Sequence, residues 1–117
     1  MPPPAYLGEF EQLLLLAVLR LQPDAFGGDI GRELDVRAGR SVSRGALYTS
    51  LDRLEDKGLL RWKLAPGTEA RDGLPRRSYT VTPAGLAALR ASRDTLRRMW
   101  RGLESVLNRP LPDGGRD

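Results

Sequence analysis

Ser43, Arg44, Gly45, Tyr48, Thr49 and Arg53 fall within one eleven-residue stretch, where small and hydroxyl-bearing side chains alternate with two guanidinium groups. Guanidinium groups grip phosphate or the edge of guanine, and hydroxyls exchange hydrogen bonds with phosphate or bases. Small side chains let a helix backbone approach the floor of a nucleic-acid groove. Catalysis has no comparable constellation. The chain contains neither histidine nor cysteine, which removes the commonest general base, the commonest zinc ligand and any disulfide. Asp52, Glu55 and Asp56 sit on different sides of a helix beside Arg53 and Lys57, the pattern of a salt-bridged surface rather than of an acid–base pair. No catalytic residue, metal site or cofactor is expected.

A helix must position these groups. Leu47, Leu51 and Leu54 lie at i, i+4 and i+7, so helical winding gathers them into one apolar stripe. Ser43 is a good N-cap immediately before that stripe and Gly58 a good stop immediately after it. The opposite face carries Gly45, Thr49, Arg53 and Asp56. An ordinary surface helix could share this pattern, so the rest of the chain has to decide.

At 117 residues, 29% charged and 40% hydrophobic, the chain suits one globular domain. No apolar run reaches the ~18 residues of a membrane span, and the start Met1-Pro2-Pro3-Pro4-Ala5-Tyr6 lacks the basic and apolar regions of a signal peptide. A cytoplasmic location is the expectation. The net charge of +4 is unevenly spread: residues 1–40 carry four basic and six acidic side chains, whereas residues 61–82 carry five and two and residues 83–117 seven and four. Arginine concentrated in the second half suits a polyanionic partner, although a solvated basic surface would show the same bias.

Taken in order, the triple proline reads as an unstructured leader over residues 1–7. Glu9–Leu21 reads as a helix with Glu9 and Glu11 in its first turn, favoured by the helix dipole. Its four consecutive leucines, Leu13 to Leu16, span more than one face and call for cover on two sides. One cover is the domain core; a second subunit is the simplest other, with Phe10, Leu13 and Leu14 facing it. Asp24 can cap a second helix over Ala25–Arg37, with Phe26, Ile30 and Leu34 as its buried stripe. Gly27 and Gly28 in that helix suit the close approach of a neighbour.

After Gly58 the period changes to two. Leu60, Trp62 and Leu64 alternate with Arg61 and Lys63, and after a breaker-rich loop from Ala65 to Pro75 a second strand follows over Arg76–Val81. Arg77, Tyr79 and Val81 take one face of it and Arg76, Ser78 and Thr80 the other. The two strands form an antiparallel hairpin. Thr82-Pro83 then caps and opens a last helix expected to run to about Leu107, roughly 25 residues or ~37 Å. Leu89, Leu96, Met99, Trp100, Leu103 and Leu107 keep near-heptad spacing along it and need a partner, which again implies a homodimer. Arg109 to Asp117 reads as a polar tail.

The expected fold is therefore mainly α with a small β-hairpin: a winged helix-turn-helix over residues 8–82, a C-terminal dimerisation helix over 83–108 and a flexible tail over 109–117. Several residues extend the match. Phe26-Gly27, Gly45-Ala46-Leu47-Tyr48 with Leu51 and Arg53-Leu54-Glu55, Gly58-Leu59-Leu60, Gly73-Leu74-Pro75-Arg76-Arg77-Ser78-Tyr79 and Thr82-Pro83-Ala84-Gly85 together resemble the PadR family of transcriptional regulators, in its short subfamily with a single C-terminal helix. Thr49 stands where many members carry proline. The resemblance implies a homodimer assembled through its first and last helices that binds a partly palindromic double-stranded DNA operator and represses transcription, in some relatives until a small molecule binds between the subunits. A winged-helix module that binds an acidic protein or RNA without reading sequence is the competing reading.

Within that frame Ser43, Arg44, Gly45, Tyr48, Thr49, Arg53, Arg71, Arg76 and Arg77 are the candidate DNA-binding residues. The Tyr48 ring could pack while its hydroxyl meets a phosphate, and Arg44 could read guanine or clamp phosphate. Arg71, Arg76 and Arg77 would set the wing on the backbone or in the minor groove, though Arg77 shares a face with Tyr79 and could be structural. Trp62 reads as core. Trp100 suits interface packing, or a wall of a pocket for a planar apolar effector between subunits.

Overall fold

The computed structural model describes residues 7–65 and 76–110. The elements run α1 (Glu9–Leu21), β1 (Ala25–Phe26), α2 (Gly27–Ala38), α3 (Arg44–Asp56), β2 (Leu60–Leu64), β3 (Arg77–Val81) and α4 (Pro83–Trp100), followed by a single 3-10 turn over Glu104–Val106. Residues 1–6 of the expected leader, the loop residues 66–75 with Arg71, and the tail residues 111–117 lie outside the described residues.

One core holds the three N-terminal helices and the sheet together. Leu14, Leu15 and Val18 of α1, Ile30 and Leu34 of α2, Leu47, Leu51 and Leu54 of α3, and Leu60, Tyr79 and Val81 of the strands are all buried in it. Leu7, expected in the leader, belongs to this core as well. Its carbonyl accepts from the Gln12 side chain at 3.3 Å.

The sheet has one strand more than the hairpin expected. Ala25 and Phe26 do not open α2; they pair with Tyr79 and Ser78, so the strand order is β1-β3-β2, antiparallel throughout. Asp24 therefore caps nothing, and α2 starts at Gly27 after an extended Phe26. The loop before β1 is tied to β3 as well: Ser78 Oγ donates to the Pro23 carbonyl at 2.6 Å, and the Val81 N–H donates to Gln22 Oε1 at 3.3 Å. Between β2 and β3 the alternation holds, with Leu60 opposite Val81, Trp62 opposite Tyr79 and Leu64 opposite Arg77. Burial fades along this face, however: Leu60 is buried, Trp62 half-buried and Leu64, expected inside, exposed.

The last helix is shorter than its spacing suggests. It stops at Trp100, and Gly102 at φ 86° turns the chain into the 3-10 turn. A left-handed φ is free for glycine and strained for other residues, so the single glycine ends what leucine spacing alone would have continued to Leu107.

Where α4 begins, one threonine joins three elements. Thr82 Oγ1 accepts from the Gly85 N–H at 3.0 Å as the N-cap and donates to the Gly58 carbonyl at 2.7 Å, while the Thr82 N–H donates to the Leu59 carbonyl at 3.1 Å. The helix approaches so closely here that a Cβ on Gly85 would strike the Leu59 carbonyl oxygen and come within 2.7 Å of Val81 Cγ1. Backbone cannot step aside as a side-chain tip can. Gly85→Ala is therefore expected to destabilise the fold by about 1–3 kcal/mol, whereas Gly28→Ala, with nothing within 4 Å of its added carbon, should be neutral or stabilise by up to ~1 kcal/mol. Urea midpoints of the two variants check the contrast.

Two ion pairs fasten α1 to later elements: Glu9 to Arg40 and Glu11 to Lys57. Partial burial works to raise the Glu11 carboxyl, but hydrogen bonds from Lys57 and the Gly8 N–H, with the charges of Lys57 and Arg53, outweigh it and hold the group below its ordinary value of 4.5. A carboxyl depressed in the folded state stabilises fully above its ordinary value and loses that contribution as the pH falls through the depressed one. Stability measured from pH 7 to pH 3 should show this acid loss in the parent and a smaller one in Glu11→Gln, the difference staying within about 1 kcal/mol for a pair still open to solvent on the lysine side.

Candidate nucleic-acid interface

The stripe Leu47, Leu51 and Leu54 turns α3 so that Arg44, Gly45, Ala46, Thr49, Asp52, Arg53 and Asp56 face outward. Small residues occupy the N-terminal half of this face, with Arg44 at its start and Arg53 in the last turn before Asp56. Ser43 holds the helix start: its Oγ accepts from the Ala46 N–H at 3.2 Å. The expected contact residue is thus also the N-cap.

Tyr48 sits at the border between the buried and exposed sides. Its hydroxyl end packs against Gly27 at the start of α2, where an added Cβ would fall within 2.6 Å of Tyr48 Cζ. Gly27 is small for this reason, so the close approach read from sequence is made by an aromatic tip rather than by a helix backbone. The Arg44 guanidinium lies 5.7 Å from the Tyr48 ring centre, a loose cation–π contact that leaves it exposed.

Arg76 and Arg77, adjacent in sequence, leave opposite faces of the sheet. Arg76 stacks 4.0 Å from the centre of the Phe26 ring and has Asp29 of α2 at 3.9 Å. Arg77 stacks 4.2 Å from the centre of the Trp62 ring and pairs with Asp52 of α3 at 3.4 Å. Phe26, Asp29 and Asp52 are the participants that sequence reading missed, and only the strand pairing and the helix packing bring them to the arginines. Among the described residues the buried Trp62 Nε1 has no hydrogen-bond partner, and Trp62 packs on the edge of the core as expected. The Tyr79 hydroxyl beside Arg77 likewise has no partner of good geometry among the described residues, and burial pushes its ionisation up.

The apolar residues assigned to a dimer interface fall into three groups. Leu14 is corrected: it is 0% exposed inside the chain's own core and has no surface left for a partner. Phe10, Leu13 and Leu89 are half-buried against that core. Leu96, Met99, Trp100, Leu103 and Leu107 are exposed, Met99 by 71% and Leu107 by 70%, and Leu16, Leu86 and Val106 join them. Along α4 an open groove of about 530 Å³ is lined by Arg93, Leu96, Arg97, Trp100, Arg101 and Glu104. Among the described residues no cluster of side chains could hold a metal ion, and no helix is long and apolar enough to cross a membrane.

Comparison with known proteins agrees with this architecture. A family model described as the transcriptional regulator PadR-like family matches residues 15–91. The transcriptional regulator Rv3488 of Mycobacterium tuberculosis is 41% identical over 78 residues, 67% of this chain and 68% of that one. Among solved structures, a PadR family regulator from Eggerthella lenta is 25% identical with a TM-score of 0.61, over 87% of this chain and 88% of that one. The protein hsRosR-S1, solved as a complex, is also 25% identical with a TM-score of 0.66, over 82% and 78%. With its three-helix core, its short sheet and a family match that runs from α1 into α4, the chain belongs to the PadR-like family of transcriptional regulators.

Proposed function

We propose that the chain is a cytoplasmic, homodimeric repressor that reads a partly palindromic DNA operator with α3. The observation that carries this reading is the exposed, small-residue face of α3 between Arg44 and Arg53, opposite a fully buried leucine stripe. A helix so divided can enter a major groove with Gly45 and Thr49 near base edges and Arg44 and Arg53 at phosphate or guanine. Arg76, half-exposed on the other side of the sheet, would rest on the backbone beside it, and Arg71 would extend the same contact. Two such helices reach successive half-sites when two chains join.

The joining surface would be the apolar run from Leu96 to Leu107 on α4 and the turn beyond it, together with the part of Phe10, Leu13 and Leu89 that the core leaves uncovered. Large apolar side chains concentrated over one short segment are covered in most monomers, and a second copy is the cover this reading assigns. A planar effector would bind along α4 beside Trp100, where the groove combines an indole face with guanidinium groups. To induce, it must favour the dimer geometry that does not fit DNA.

The intact chain is expected to sediment at twice its 12.9 kDa mass at micromolar concentration, and Met99→Asp should shift it to the monomer. Sedimentation at a single chain mass would overturn the dimer.

On DNA, Arg76→Ala should weaken specific and random sequences alike and reduce the salt slope by about 1 per subunit, whereas Thr49→Val should change discrimination at one base position by about 1–3 kcal/mol. Anisotropy titrations over a range of salt test both. If neither variant differs from the parent on any sequence, α3 and the wing have been assigned wrongly. Titration of the Trp100 emission with planar aromatic compounds, compared with Trp100→Ala, tests the effector site.

A further inference from the structure

We infer that Arg77 acts as a positioning residue that neutralises Asp52 on the DNA-facing side of α3, and is not itself a phosphate ligand. The inference rests on the reading of α3 as the element that enters DNA.

The exposed face of α3 poses an electrostatic problem for that reading. Asp52 and Asp56 do not lie on different sides of the helix as expected: Gly45, Thr49, Asp52 and Asp56 follow one another at spacings of four, three and four and are all exposed, so they form a single stripe. Half of that stripe is carboxylate. Like charges brought together on binding oppose it, and a phosphate backbone is the densest line of negative charge a protein meets. Asp52 is nearer the reading residues than Asp56, and its side chain is 56% exposed.

Arg77 answers Asp52 from the sheet. Its Nη1 lies 3.4 Å from Asp52 Oδ1 while its guanidinium is stacked over Trp62 at 4.2 Å. The cation is therefore held between a carboxylate and an aromatic face that the pairing of β2 with β3 fixes in place. Leaving for a phosphate would break both contacts and uncover the Asp52 charge in the same movement. Arg76 is in a different situation. It too is stacked, on Phe26 at 4.0 Å, but its carboxylate neighbour Asp29 is 3.9 Å away and already carries Arg32 at 3.0 Å, so turning outward gives up one aromatic contact and leaves no carboxylate unpaired. Alternation along β3 thus gives two neighbouring arginines separate tasks: Arg76 is available to DNA, and Arg77 holds the wing's base against α3 and cancels the charge there.

A double-mutant cycle on a random-sequence duplex, read by anisotropy over a range of potassium chloride, separates shielding from contact. Arg77→Met should weaken binding about three- to tenfold in the parent. Asp52→Asn should bind as tightly as the parent or more so. Arg77→Met added to Asp52→Asn should then leave the affinity within about twofold and the salt slope unchanged. Arg77→Lys, which keeps the charge, should retain most of the parent's affinity. Arg77→Gln replaces Arg77→Met if the latter melts below the assay temperature. An equal loss in both backgrounds, with the slope falling by about 1 per arginine, would make Arg77 a direct phosphate contact and overturn the inference, as would weaker binding by Asp52→Asn alone. A parent that binds no duplex would instead overturn the functional reading, and this inference with it.

Discussion

The burial of Leu47, Leu51 and Leu54 is the constraint on which the rest of this structure depends. Each leucine removed from water stabilises by about 1.5–3 kcal/mol, while exposed ion pairs on the same helix are worth at most about 1 kcal/mol each. The leucine seam therefore fixes the rotation of α3 about its axis, and the outward face follows as a consequence. No contact on that face is needed to hold it outward. A binding surface built this way is free to vary in Arg44, Gly45, Thr49 and Arg53 without cost to the fold.

What the outward face needs is a neighbour at a fixed angle, and the sheet provides it through several modest interactions. Cation–π contacts at exposed sites contribute roughly 0.5–1 kcal/mol. Their value here is geometric: Arg76 on Phe26 and Arg77 on Trp62 secure the two faces of one strand to α2 and α3. The Thr82 joint does the same at the other end of β3, tying the strand to the residues that end α3 and to the start of α4. β3 is thus central in the sheet and held against α3 and its end at two points.

Much of this was legible in the sequence because the signals were local. The α3 stripe, the Ser43 and Thr82 caps, the Gly58 stop and the alternation of β2 and β3 are each set by neighbours within a few residues. What escaped was either non-local or a single-residue exception. Ala25-Phe26 is too short to show alternation and becomes a strand only because β3 offers it an edge. Asp52 looked like one more surface carboxylate until Arg77 arrived from 25 residues away. Leu14 belonged to a run apolar all round, and sequence alone could not say which leucines the chain would bury itself. Gly102 outweighed a heptad pattern that continued past it.

On the proposed function, two copies of α3 read two half-sites on one duplex. Hydroxyl-radical footprinting on a duplex selected by the purified chain from a random library tests it most directly. The expected result is a pseudo-palindromic sequence with two protected patches about one helical turn apart, or a multiple of that spacing, on one side of the DNA. A single patch, or no enrichment of any sequence over the starting library, would contradict it.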